Sequence, residues 1–473
     1  MISISRLNKN NLLIIKIAAV FILFISFCYL RFYNLDKRII FDWDQEHYAY
    51  EIKNIIQNHK FTLIGPRANN DKGFFLGPYF TYLMLPFYLI TNLHPSGSII
   101  FVILYNLIFF FFSFFLINKI FGFKQAFLFL FLWNINDLLI GYDATPWWPI
   151  LIPLGVLITW YWLDRIERKN VFKDWFILGI SLGFFLNMHF QFIFMVYYSL
   201  VYLAIFVISR KKMFWRNLAG LFIGFVLMFL PLFLFDLRHN FLNSKLFFNF
   251  FVQGTDKTPA DLFAWFPVFT NFIKPVLPYK TQPLMFIFLL LILLFSFILA
   301  FVSKKNRIYF ISFLILWITT PIFFSLYGKR PSEYYYVYLY PFIFIITGQI
   351  ISRIKQGYLS RVITLILMIY IVIINWQPIS STLMNNRFGL SAKDKAIKVL
   401  KKYTLGKKLN VSFDTPLGAN NGYQYLIEQN GIKQSGNWND PLFQIRIPPK
   451  ENDIVVDLIG IKLPDEYYKD YLK

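Results

Sequence analysis

Charge is scarce in this sequence. Only 15% of its 473 residues are Asp, Glu, Lys or Arg, against 57% hydrophobic and 21% aromatic. With a mean hydropathy of +0.52, that is more apolar side chain than the core of a soluble chain this long requires. Cysteine is nearly absent: Cys28 stands alone, which excludes a disulfide within the chain and any multi-cysteine metal site. No internal repeat is present, which disfavours a transporter built from inverted halves. Acidic residues are outnumbered, leaving a net charge of +22. The basic residues nevertheless sit in short clusters between apolar runs, as topology signals do, and not in a patch suited to nucleic acid.

What is present is a series of eleven apolar runs, at 12–32, 98–118, 124–142, 146–163, 174–188, 190–209, 217–236, 283–302, 308–327, 334–352 and 361–377. Runs near twenty residues reach across the roughly 30 Å of bilayer hydrocarbon. The basic N-terminus (Arg6, Lys9, Lys16) leads into a stretch that is long for a signal peptide and is followed by no small-residue cleavage pattern, so an uncleaved first helix is expected. Basic connections (Arg165, Arg168 and Lys169; Arg210 to Arg216; Lys304 to Arg307; Arg353 to Arg361) alternate with mostly Lys- and Arg-poor ones. The positive-inside rule then sets the N-terminus in the cytoplasm. Segment 74–93 is apolar enough to span, but counting it would invert every later basic loop. With Pro78, Pro86 and many aromatics, it reads as a helix lying on the outer face.

The expected fold is a polytopic α-helical membrane protein of about eleven transmembrane helices with a small extracytoplasmic α/β C-terminal domain. The membrane module covers 1–377, with outer loops at 33–97 and 237–282. The polar tail, 378–473, has a helix-like stretch at 392–403 and strand-like pieces at 408–413 and 453–459.

Few polar groups face outward in this topology. Asp42, Asp44 and Glu46 crowd the start of a helical pattern that runs to about His59. Capping and the helix dipole account for one acid there; three acids and His47 exceed that need. Asp143 ends an apolar run before Thr145-Pro146-Trp147-Trp148, and His189 separates two apolar stretches. A lone His in such a place is commonly a hydrogen-bonded packing residue, but ionisable groups near membrane depth mark functional sites. Asp44, Asp143 and His189 all reach the outer face, where Asp44 suits a general base. The same three could hold a divalent cation, although their spacing is no metal signature. Lys329 and Arg330 break the charge rule. They are either a solvated loop or a pair of fixed cations for a lipid phosphate, a role Arg67 shares more weakly.

These residues resemble the GT-C superfamily of polyprenyl-phosphate-dependent glycosyltransferases, over roughly residues 10–375. The branch most similar is family 39, the protein O-mannosyltransferase and aminoarabinose-transferase group. Its first-loop motif Asp-Glu-Ala-x-Tyr-Ala is similar to Asp44-Gln45-Glu46-His47-Tyr48-Ala49, with Gln45 in place of the second acid. Its second juxtamembrane helix resembles Gly77-Pro78-Tyr79-Phe80-Thr81-Tyr82, and its aromatic–Leu-Pro stretch resembles Tyr334 to Pro341. His189 resembles a histidine of related bacterial members. The resemblance implies inverting transfer of one sugar from a polyprenyl-phosphate donor to a protein, lipid or glycan acceptor outside a bacterial plasma (inner) membrane. It implies Asp44 as the catalytic carboxylate, with Glu46, Asp143 and His189 beside it. Lys329, Arg330, Arg67 and Tyr335 would surround the donor phosphate. No nucleotide or redox cofactor is implied, in keeping with the lack of a glycine-rich phosphate loop. Two other classes stay in view: a lipid or polysaccharide flippase, which predicts charges along a mid-membrane path, and a polysaccharide polymerase or ligase, which relies on a large late outer loop.

Overall fold

The computed structural model describes residues 9–68, 73–211, 214–252, 282–302, 307–327, 332–353, 357–384, 388–404, 406–437 and 439–464. Lys329 and Arg330 lie outside these residues, as does most of the middle loop. The described chain is mostly helical. Seven helices are long and apolar enough to cross a membrane: Asn10–Phe32, Gly97–Phe121, Trp148–Lys169, Phe190–Arg210, Arg307–Phe324, Glu333–Ser352 and Val362–Met384.

Helix length and composition thus support fewer spans than the eleven runs suggest. Two runs are broken helices, Phe123–Asn134 with Asp137–Asp143, bent by 82°, and Trp215–Leu227 with Leu230–Arg238, bent by 54°. Counting each as one span gives nine among the described residues. The first break is written locally: the Asn136 side chain caps the second piece by accepting from the Leu139 N–H at 3.0 Å. The second places Pro231 in the first turn of the new helix, where its missing N–H costs nothing. The remaining two runs are also helical, Phe172–Met188 and Gln282–Val302, the former only 17 residues long.

Helix contacts within the apolar body rely on close backbone approach. A Cβ added to Gly179 would meet the Leu221 carbonyl oxygen at 2.1 Å, and one on Gly224 would meet that of Phe176 at 2.2 Å. Small residues allow such contact where lipid supplies no hydrophobic drive between helices.

Besides the four-residue Leu35–Arg38 helix, the described part of the segment between the first two long helices holds the helices Trp43–Asn58 and Tyr79–Ile90. The latter has twelve residues. At 1.5 Å per residue it reaches about 18 Å, well short of a crossing, and Pro86 lies inside it.

The last apolar helix runs on to Met384, past position 377. The polar region after it comprises the Leu390–Thr404 helix, the short Tyr423–Gln429 helix and a four-stranded sheet. The strands are β1 (Asn410–Asp414), β2 (Leu442–Arg446), β3 (Ile454–Val456) and β4 (Ile459–Lys462). Their order is β1-β2-β4-β3, with β1 parallel to β2 and the other pairs antiparallel. The strand-like stretch 453–459 is a hairpin instead of one strand, because Asp457 turns the chain with φ of 54°.

Candidate active site

The Trp43–Asn58 helix starts on a capping box: the Asp42 side chain accepts from the backbone of Gln45, and Gln45 answers to the Asp42 N–H. Asp44 is therefore the second residue of a helix whose start is fixed. Gln45 and Tyr48 also anchor it from one face. The Gln45 amide donates to the Pro146 carbonyl at 3.3 Å and the Tyr48 hydroxyl to the same oxygen at 2.9 Å. A single carbonyl thus ties the acid-bearing helix to the Thr145–Trp148 segment.

Asp44 lines a cavity of about 300 Å³ with Arg67, Phe74, Trp148, His189, Gln191, Tyr334 and Tyr335 among its walls. Burial raises the Asp44 carboxyl to about 6; nearby His47 lowers it and Asp42 raises it further, both by smaller amounts. The ordinary value is near 3.9, so Asp44 is a stronger base than a solvated Asp yet still ionised at neutral pH.

His189 terminates the Phe172–Met188 helix and is buried. Its Nδ1 accepts the Gln191 N–H at 3.2 Å. The tautomer that this bond requires carries its proton on Nε2, so the ring's other nitrogen is a donor. Burial holds the imidazole to about 3, hence neutral under ordinary conditions. Its ring lies against Tyr334 and Tyr335 at centroid separations of 5.7 and 5.3 Å. Those two tyrosines stack on each other at 4.7 Å, and Trp147 meets Tyr334 edge-on at 4.8 Å. With its amide turned to satisfy both groups, Gln191 donates to the Tyr334 and Tyr335 carbonyls at 2.8 and 2.7 Å. This locks the start of the Glu333–Ser352 span to the His189 turn.

Arg67 reaches the cavity from a β-bridge with Phe75, its guanidinium 4.9 Å from that ring. A second, more apolar cavity of about 450 Å³ adjoins the first and shares Phe74, Leu76, Phe190 and Ile193 with it.

Two sequence-predicted residues are placed elsewhere. Asp143 does not join Asp44 and His189. Its carboxylate is buried against Arg31, with Nη2 at 3.0 Å, and also accepts the Trp133 indole N–H at 3.1 Å. The Arg31 guanidinium, fully buried, donates in addition to the Asn134 side chain at 2.8 Å. A carboxylate so engaged holds the first helix to the broken one and does not face the cavity. Glu46 turns away toward the polar tail and accepts the Gly422 and Tyr425 N–H groups at 3.0 and 2.8 Å. For a divalent cation, the cavity offers Asp44 and a histidine that presents an N–H. No group of three or more His, Cys, Asp or Glu side chains is placed to hold a metal ion among the described residues. Among the described residues, Asp44 is then the one carboxylate that the cavity offers a cation.

Sequence reading overlooked Gln191, Trp148, Arg31 and Lys393. Arg31 carried a usable signal, a charge at the end of an apolar run; Lys393, in a polar tail, carried none.

No protein-family model and no curated protein sequence matches the chain. Its structure does match solved ones. ArnT from Cupriavidus metallidurans bound to undecaprenyl phosphate is similar with a TM-score of 0.58 and 12% identity, over 96% of this chain and 98% of that one. The same protein in the apo state gives 0.53 and 11%, over 96% and 97%. The chain shares the fold of these structures over nearly its whole length. An oligosaccharyltransferase from Archaeoglobus fulgidus with a tethered acceptor peptide is similar at a TM-score of 0.50 and 12% identity, over 91% of this chain and 68% of that one. At such identities the likeness speaks for the fold alone.

Proposed function

We propose that this chain is a membrane glycosyltransferase that moves one sugar from a polyprenyl-phosphate donor to a hydroxyl-bearing acceptor on the outer side of the membrane, in the manner of family 39. The observation that carries this reading is the cavity itself. A carboxylate raised to about 6 shares one aromatic-walled cavity with a neutral histidine donor, on a fold shared with a protein crystallised with undecaprenyl phosphate.

In this reading Asp44 accepts the proton of the acceptor hydroxyl. The acceptor oxygen forms its bond to the anomeric carbon as the bond from that carbon to the phosphate oxygen breaks, with inversion. The electron pair leaves with the lipid phosphate, whose charge grows through the transition state. His189, through Nε2–H, and Arg67 are the described groups suited to hold that charge. Lys329 and Arg330 keep the same proposed role in sequence terms. The adjoining apolar cavity, walled by Phe225, Phe229 and Phe247, suits the first isoprene units of the donor.

Purified protein in lipid nanodiscs, given synthetic polyprenyl-phosphate sugars and a panel of acceptors, should release polyprenyl phosphate. Asp44→Asn should lower that rate by about 10²–10⁴-fold, the usual contribution of a positioned base. An Asp44→Asn protein as active as the native one would remove Asp44 from the chemistry.

A further inference from the structure

The polar tail grips the membrane module at the residues that flank Asp44. Lys393, on the Leu390–Thr404 helix, is buried with 1% of its side chain exposed. Its ammonium has three N–H donors and meets three acceptors: the Phe41 carbonyl at 2.9 Å, the Asn421 carbonyl at 2.7 Å and the Asp42 carboxylate. Two of these belong to the N-cap of the helix that carries Asp44 and the residue before it. One turn further on, Glu46 takes the Gly422 and Tyr425 N–H groups. The chain at Gly422 presses on Phe41 so closely that an added Cβ would lie 2.0 Å from its carbonyl oxygen. The tail also holds the far end of the same loop, where the Tyr425 hydroxyl donates to the Leu93 carbonyl at 2.7 Å.

Simple docking of a domain on a surface would leave its polar contacts at the rim, exposed and interchangeable. Here a desolvated lysine spends all its donors on residues 41, 42 and 421, and a carboxylate two residues past Asp44 takes two backbone donors. A buried ammonium is tolerated only when satisfied in this way.

We infer that the C-terminal domain is a positioning device for the active site: Lys393 and the Gly422–Tyr425 turn pin the first turn of the Trp43–Asn58 helix and thereby aim Asp44 into its cavity. Lys393 touches no substrate in this scheme. It is a positioning residue that acts through Asp44, and the inference rests on the proposed role of Asp44. Misplacing a reacting group by about 1 Å costs on the order of 100-fold in rate, so a tail that holds this turn controls kcat without contacting the donor.

The test uses the full chain in nanodiscs. Lys393→Met should lower kcat about tenfold or more, while KM for the polyprenyl-phosphate sugar stays within about twofold, as expected when only transition-state geometry is lost. In an Asp44→Asn background the same change should cost nothing further, because the two residues act as one unit. Amide hydrogen exchange over residues 43–48 should quicken in Lys393→Met and leave 80–88 unchanged. Glu46→Gln, which keeps the side-chain shape, should show the same pattern more weakly and stands in if Lys393→Met does not fold. Native kcat together with native exchange at 43–48 would overturn the inference, as would an equal loss in the Asp44→Asn background. If Asp44→Asn is itself fully active, the reading of Asp44 fails, and the exchange measurement still decides whether the tail holds the helix.

Discussion

Asp44 and His189 illustrate how a residue's chemistry is set by what surrounds it. Burial raises one and lowers the other, so that at neutral pH the cavity holds a carboxylate base and an uncharged N–H donor. In the proposed reaction Asp44 must be ionised to act. Turnover should therefore fall as pH drops through about 6, approaching a tenfold loss per pH unit below it, and the imidazole should add no inflection between about pH 5 and 8. A kcat/KM profile checks both. His189→Asn should cost on the order of tenfold in kcat/KM by removing the donor while the fold persists. Asp44 could be read from the sequence because an excess of acids at a helix start is a local pattern. The destiny of Glu46 could not, because its partners stand at 422 and 425. Asp143 misled for the converse reason: an acid beside a Pro and two Trp residues has the local look of a site, and only the fold shows Arg31 against it.

The apolar runs are helical as their composition demands, but run length alone does not tell a straight helix from a broken one. The break at Ile135–Asn136 lies inside a stretch apolar enough to be counted as one span, and its local marks are Asn134, Asn136 and Asp137, of which Asn136 caps the second piece. Two arginines consolidate this corner. Arg38, also buried, donates to the Tyr33 carbonyl at 2.9 Å and to that of Ile140 at 3.2 Å. It thus joins the end of the first helix to the bent pair and serves carbonyls that a helix terminus leaves unpaired. The Arg31–Asp143 pair should show the asymmetry of buried ion pairs. Arg31→Met alone should destabilise by about 3–5 kcal/mol, leaving a buried carboxylate unpaired, whereas Arg31→Met with Asp143→Leu should recover most of that loss. Thermal unfolding of the purified variants measures both. If the pair instead took part in the chemistry, the stable double variant would be inactive.

At the scale of the molecule, the acid-bearing loop and the polar tail form one assembly, so both must face the same side of the membrane. The solitary Cys28 makes this easy to check. In a Cys28→Ser background, single cysteines at Trp43 and Leu417, which are exposed at 65% and 107% of their reference areas, should both react with a membrane-impermeant maleimide on intact cells. Reaction only after permeabilisation would reverse the orientation drawn from the basic loops. The general architecture was legible because alternating charge and apolar length are sequence properties. The joint between tail and loop was not, because Lys393, Glu46 and Tyr425 find their partners across it, mostly backbone carbonyls and N–H groups, at sequence separations from 332 to 379. The most direct measurement is an electron cryomicroscopy structure with a non-hydrolysable polyprenyl-phosphate sugar. Its phosphate and anomeric carbon should lie in the cavity between Asp44 and His189, with the isoprene chain entering beside Phe229. A headgroup bound elsewhere, with that cavity empty, would contradict the proposed chemistry.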